Sequence, residues 1–152
     1  MTTMKCAKSP EYIWNMFESR IAERTPKNIN FELQDKNTQI GLMNRNFETS
    51  IIFYQISASE KQNVISSANG LIEETEQYDD LMQKFASNIV ISGQFLAQAH
   101  FEARNYENSL RYIDLAKKFV NRMGMSQTES NSYKKDLEKI RKDVMIKISQ
   151  RD

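Results

Sequence analysis

The chain has 152 residues, enough for one domain with a real core, and its 39% apolar and 27% charged residues are ordinary for a globular protein. With only 4 Gly and 2 Pro it is poor in turn formers, which argues against a strand-and-turn architecture. The 21 basic and 20 acidic residues nearly cancel to a net +1, which removes any overall electrostatic case for nucleic acid or an anionic membrane.

The first helix signal follows residues 1–8, which read as a flexible N-terminal segment with no apolar signal-peptide core. Ser9 can cap, Pro10 suits the first helical position and Glu11 complements the dipole. Ile13, Trp14, Phe17 and Ile21 then recur at helical spacing, and Pro26 ends the stretch by Thr25. In Lys27 to Asn37, Ile29, Phe31 and Leu33 alternate with polar residues. With no second strand to pair with, an irregular linker or the first turns of a helix is the better reading.

A helix is expected from about Lys36 to Ile56, with a bend near Asn44 to Asn46. Ser57 and Glu60 have capping-box spacing and predict a new helix, with Val64, Ile65, Ala68, Leu71 and Ile72 as its stripe. The acids Glu73, Glu74, Glu76, Asp79 and Asp80 then mark a solvated junction near Tyr78, with a docking patch for a basic partner as the alternative. Leu81, Met82, Phe85, Ile89, Val90, Phe95, Leu96, Ala99 and Ala103 continue the helical pattern, and Asn105 breaks it.

Leu110, Ile113, Ala116 and Val120 form one stripe of the next helix, and Tyr112, Leu115 and Phe119 a second, so this helix should be covered on more than one side. Gly124 suits a left-handed stop. Ser126 and Glu129 form a capping box that opens the last helix. There Tyr133, Leu137, Ile140, Val144 and Ile148 step by 4, 3, 4 and 4 into a narrow seam, suited to capping the domain or to pairing with another copy. The fold expected is all-α: antiparallel helical hairpins, about six helices, a domain at 9–125 and a capping helix at 126–152.

The chain also resembles itself. Asn46-Phe47-Glu48-Thr49-Ser50 aligns with Asn105-Tyr106-Glu107-Asn108-Ser109, and the match runs on to Ser57 and Ala116. Each copy would open the second helix of a hairpin. The pattern resembles the tetratricopeptide repeat, on Leu96, Ala97, Tyr106, Ser109, Ile113 and Ala116 in the second copy and Phe47, Ser50, Tyr54 and Ser57 in the first. Gly93 stands where that family has Trp and Asn121 where it has Pro, and the copies are 59 residues apart, so no regular array is formed. Divergent hairpins of this kind and a generic helical bundle are both open at this point.

The resemblance implies a groove lined by Ile91, Gln94, Phe95, Gln98, Phe101 and Glu102 that holds an extended or helical peptide. The carboxylate clamp of the family's chaperone-tail subclass is not implied, because Gln94 and Gln98 occupy its places.

Catalytic chemistry has little support. His100 is the single histidine, Cys6 the single cysteine, and no Gly-flanked serine elbow, Glu-x-x-His pair, Cys/His zinc cluster or phosphate-cradling glycine loop occurs. No enzyme activity, metal or cofactor is expected, and His100 reads as a packed or half-exposed helix residue. The leading function is a protein-binding adaptor, scaffold or specialised chaperone, cytoplasmic, with another protein or peptide as partner. The alternatives are a homo-oligomer built through the C-terminal seam, and a nucleic-acid accessory factor using Lys134, Lys135, Lys139, Arg141, Lys142, Lys147 and Arg151. Asp136, Glu138 and Asp143 interrupt that basic face. No stretch is long enough to span a membrane.

Overall fold

A computed structural model describes residues 14–20, 31–61 and 74–151. Among these the architecture is entirely helical: a 3-10 turn at Phe31–Leu33, then α1 (Lys36–Ser59), α2 (Glu74–Glu102), α3 (Tyr106–Val120) and α4 (Gln127–Ser149). Residues 14–20 are helical as well. The alternation at Phe31 and Leu33 therefore belongs to a turn and not to a strand. Ile13, Ile21 and the stripe from Val64 to Ile72 lie outside the described residues.

Local chemistry sets most of the helix ends. Asp35 caps α1, its carboxylate accepting from the Thr38 N–H at 2.7 Å. Ser126 caps α4 by accepting from the Glu129 N–H at 3.2 Å, while its hydroxyl donates to the Glu129 carboxylate at 3.0 Å. Gly124 takes the left-handed conformation at φ 73°, four residues beyond the end of α3. The α2–α3 turn uses a costlier device. Arg104 sits at φ 65°, a region that strains any residue with a side chain. Arg104→Gly is expected to stabilise the fold by about 1 kcal/mol, measured as a higher urea midpoint at unchanged slope.

Two expected boundaries are displaced. The break expected at Ser57 falls at Glu60: Ser57 is fully buried in the last turns of α1, which run on to Ser59 with Glu60 as C-cap, and Lys61 is helical again. The junction expected near Tyr78 lies before Glu74, where α2 begins. Tyr78 lies inside α2, buried, with its hydroxyl donating to the Ser57 carbonyl at 3.2 Å. These two positions are where the ends of α1 and α2 clasp, so burial overrides the polar signals. Asp79 and Asp80 are exposed, as a solvated reading requires. The described residues after Lys36 hold four long helices; the further one expected there, carried by the stripe from Val64 to Ile72, lies outside them.

The helices pack as successive antiparallel neighbours. Phe53 meets Phe85 across α1 and α2, Ser109 reaches Ala97 across α2 and α3, and Lys117 meets Glu138 across α3 and α4. Both apolar stripes of α3 are used: it packs on α2 and α4, and Tyr112 and Phe119 reach Phe47 and Tyr54 of α1. Helix α2 is central too, packing against α1, α3 and α4.

The main core joins Phe47, Ile89, Leu96, Ile113, Ala116, Leu137 and Val144 with their neighbours. A second, aromatic core holds Phe17, Phe53, Tyr78, Leu81 and Phe85. The two meet along α2.

Candidate functional site

The residues carrying the repeat resemblance are core. Leu96, Ala97, Ser109, Ile113 and Ala116 are fully buried, and Tyr106 is nearly so. The Ser109 hydroxyl donates to the Ala97 carbonyl at 2.7 Å, so a small side chain here lets α2 and α3 come close. Gly93 serves the same end. A Cβ at this position would lie 3.1 Å from both Ala116 Cβ and the Phe47 ring. The first copy departs from expectation. Phe47, Ser50 and Ser57 are buried, but Asn46 lies in the middle of α1, so this copy opens no hairpin.

The six residues expected to line one groove are divided by the fold. The Phe95 ring is met edge-on by Phe31 at 5.5 Å, and the Lys36 ammonium stands 5.3 Å from its centre. Glu102 pairs with Lys36 at 3.6 Å and accepts from Gln98 at 3.2 Å. The lead-in to α1 therefore covers that edge of the expected groove. Phe101 is half-buried on another side, beside Tyr106. What stays open is a narrow strip of Ile91, 48% exposed, with Gln94 half-buried and Gln98 exposed. Periodicity along α2 identified the strip; it could not show Phe31 folding back over Phe95, because that contact spans 64 residues.

The C-terminal seam packs within the domain. Leu137, Ile140 and Val144 are buried in the main core, with Tyr133 and Ile148 packed against it. Leu137, Ile140 and Val144 are thus taken up by contacts within the chain, while Tyr133 and Ile148 stay partly exposed. Met145 and Ile146 on the same helix are 44% and 45% exposed.

The basic face of α4 is partly drawn into ion pairs with α3. Lys117 holds Glu138 at 2.9 Å, Asp114 lies 4.0 Å from Arg141, and Arg151 holds Glu107 at 2.8 Å. Glu138 therefore pairs across helices with Lys117. That hydrogen bond holds its carboxyl below the ordinary value, as Arg151 does for Glu107. These are exposed pairs, and each contributes little to stability.

His100 stacks on Tyr112, ring centres 5.3 Å apart and 17° from parallel, and the Arg111 guanidinium lies 4.8 Å from the same tyrosine ring. The Tyr112 hydroxyl donates to Asn44 at 2.8 Å, which ties α3 to α1. Burial first, and Arg111 second, hold His100 below its ordinary 6.5. The folded state thus resists a proton that the unfolded chain accepts. Stability should be level above pH 6.5 and fall as the pH drops through the folded-state value. His100→Gln should flatten denaturation midpoints across that window, and with one histidine in the chain the proton NMR titration needs no assignment.

Among the described residues, no group of three or more His, Cys, Asp or Glu is placed to hold a metal ion, and no helix is long and apolar enough to cross a membrane. No family model, curated protein or solved structure matches this chain.

Proposed function

We propose that the chain is a protein-binding module, an adaptor, scaffold or specialised chaperone without enzymatic activity, that engages its partner through the outer face of α2. The observation behind this reading is the open strip of Ile91, Gln94 and Gln98, an exposed branched apolar side chain set between amide groups on a rigid helix. Such a strip offers one apolar anchor and adaptable hydrogen bonding, and α2 holds it still because its other faces are packed. Divergent tetratricopeptide-like packing of α2 on α3 suits the same role, with the close approach at Ser109 and Ala97 setting the hairpin.

The test is capture from a lysate of the native host. Ile91→Arg combined with Gln98→Arg should abolish capture of a strip-bound partner while the circular dichroism stays helical. Undiminished capture would reject the strip. A second reading, self-assembly, is favoured by Met145 and Ile146, adjacent and about half exposed on α4. Light scattering decides it, and a strict monomer at high concentration removes it.

A further inference from the structure

Where the α2–α3 turn meets the last turns of α4, Phe101, Glu102, Arg104, Tyr106, Lys147 and Arg151 line an open cleft of about 460 Å³. It is distinct from the Ile91 strip. Two aromatic rings, Phe101 and Tyr106, stand 6.1 Å apart and tilted by 47°, and the Arg151 guanidinium lies 5.3 Å from the Tyr106 ring centre. The cleft therefore has an apolar wall.

The charges around it do not cancel. Arg151 is matched by Glu107 at 2.8 Å, and Glu102 by Lys36 at 3.6 Å. Arg104 and Lys147, both exposed, pair with no carboxylate among the described residues. One comes from the turn and the other from α4, so two cations without a carboxylate partner among the described residues flank the aromatic wall from different elements.

We propose that this cleft binds an acidic peptide segment, in which an apolar side chain rests on Phe101, backed by the buried Tyr106 ring, while flanking Asp or Glu carboxylates meet Arg104 and Lys147. The proposal rests on the reading of the chain as a protein-binding module and names the chemistry of a partner. Charge complementarity selects this occupant. A nucleic acid fits less well, because Glu102 and Glu107 stand at the cleft and Asp136, Glu138 and Asp143 break the basic face of α4 that a phosphate chain would follow. In a second copy, the exposed pair Asp79 and Asp80 offers no such segment, because the adjoining Tyr78 ring is buried.

The experiment is fluorescence anisotropy with short fluorescein-labelled peptides carrying a central Leu or Phe flanked by Asp and Glu. Saturable, salt-sensitive binding is expected, with Lys147→Glu weakening it about tenfold or more. Arg104→Gly should also weaken it while raising stability, so the loss cannot be ascribed to unfolding. Ile91→Arg should leave it unchanged. Absence of saturable binding overturns the proposal, as does indifference to Lys147→Glu. Displacement of the peptide by a labelled single-stranded oligonucleotide of equal or higher affinity would also overturn it, as would self-association that occludes the cleft. Failure here alongside strip-dependent capture removes the cleft and leaves the module. Peptide binding that Lys147→Glu weakens, without strip-dependent capture, removes the strip and keeps the cleft.

Discussion

Phe85→Ala should destabilise the fold by about 3–5 kcal/mol, the range for truncating a fully buried phenylalanine. Phe85 is wholly inaccessible and sits within reach of three other rings: Trp14 at 5.6 Å, Phe17 at 5.5 Å and Phe53 at 6.3 Å between centres. Those rings come from residues 14–20 and from α1, so one side chain on α2 joins three segments distant in sequence. Removing it forfeits the transfer free energy of the ring and leaves a cavity that rigid aromatic walls close only in part. Phe85→Leu should cost less than half as much, because most of the volume is retained. Urea denaturation measures both. Trp14 is the single tryptophan, so its fluorescence reports directly on this cluster. A loss from Phe85→Ala no larger than about 1 kcal/mol, the usual size for a point mutant, would mean that the aromatic core is not packed as described.

Gly93→Leu should be nearly as damaging, at about 3 kcal/mol, for the opposite reason. Here three helices converge: a Cβ on α2 would already stand 3.1 Å from Ala116 on α3 and from the Phe47 ring on α1. Leucine adds four carbon atoms where even the first is tight. Gly93→Ala is the informative companion. It gains about 1 kcal/mol of helix propensity and loses a similar amount by pressing on two packed neighbours, so its net effect should lie near zero. Reducing the obstruction should tip that balance, and a double-mutant cycle with Phe47→Leu should show favourable coupling between the two sites. Strict additivity would show that Phe47 does not constrain Gly93.

The fold class was legible in the sequence because apolar periodicity and capping chemistry are local. Asp35 lies where the helix from Lys36 begins, and Ser126, Gly124 and Asn105 mark ends that the structure keeps. Ser57 and Tyr78 each misplaced a boundary by about one turn, for one shared reason. Each carries a local polar signal, and each is buried by the other's helix, a contact 21 residues apart that no window of sequence displays. Gly93 was similarly opaque, since a glycine inside a helix shows only a weakness until the helices crossing it are known. The site divides the same way. The seam from Tyr133 to Ile148 was readable as a stripe, and its middle residues Leu137, Ile140 and Val144 are buried in the core. Of the basic cleft only Phe101 and Glu102 were anticipated as groove residues, in another groove, because Phe101, Arg104, Tyr106 and Lys147 belong to three helices and a turn and align with no motif.

Helices α2, α3 and α4 follow one another through short turns at 103–105 and 121–126, whereas α1 reaches α2 across residues 60–73 and α3 from much farther away. Its bonds to Tyr112 and Arg122 each join residues 68 positions apart. Closing that distance carries an entropic cost that the turn between α2 and α3 does not, so those two helices can pair before α1 docks on α3. The same asymmetry governs opening. Helix α3 is held by both α2 and α4, whereas detachment of α1 bares the socket of Phe47 and the flank of Phe85 together. Amide exchange should therefore be faster in α1 than in α3, and proteases that act on partly opened forms should cut there first.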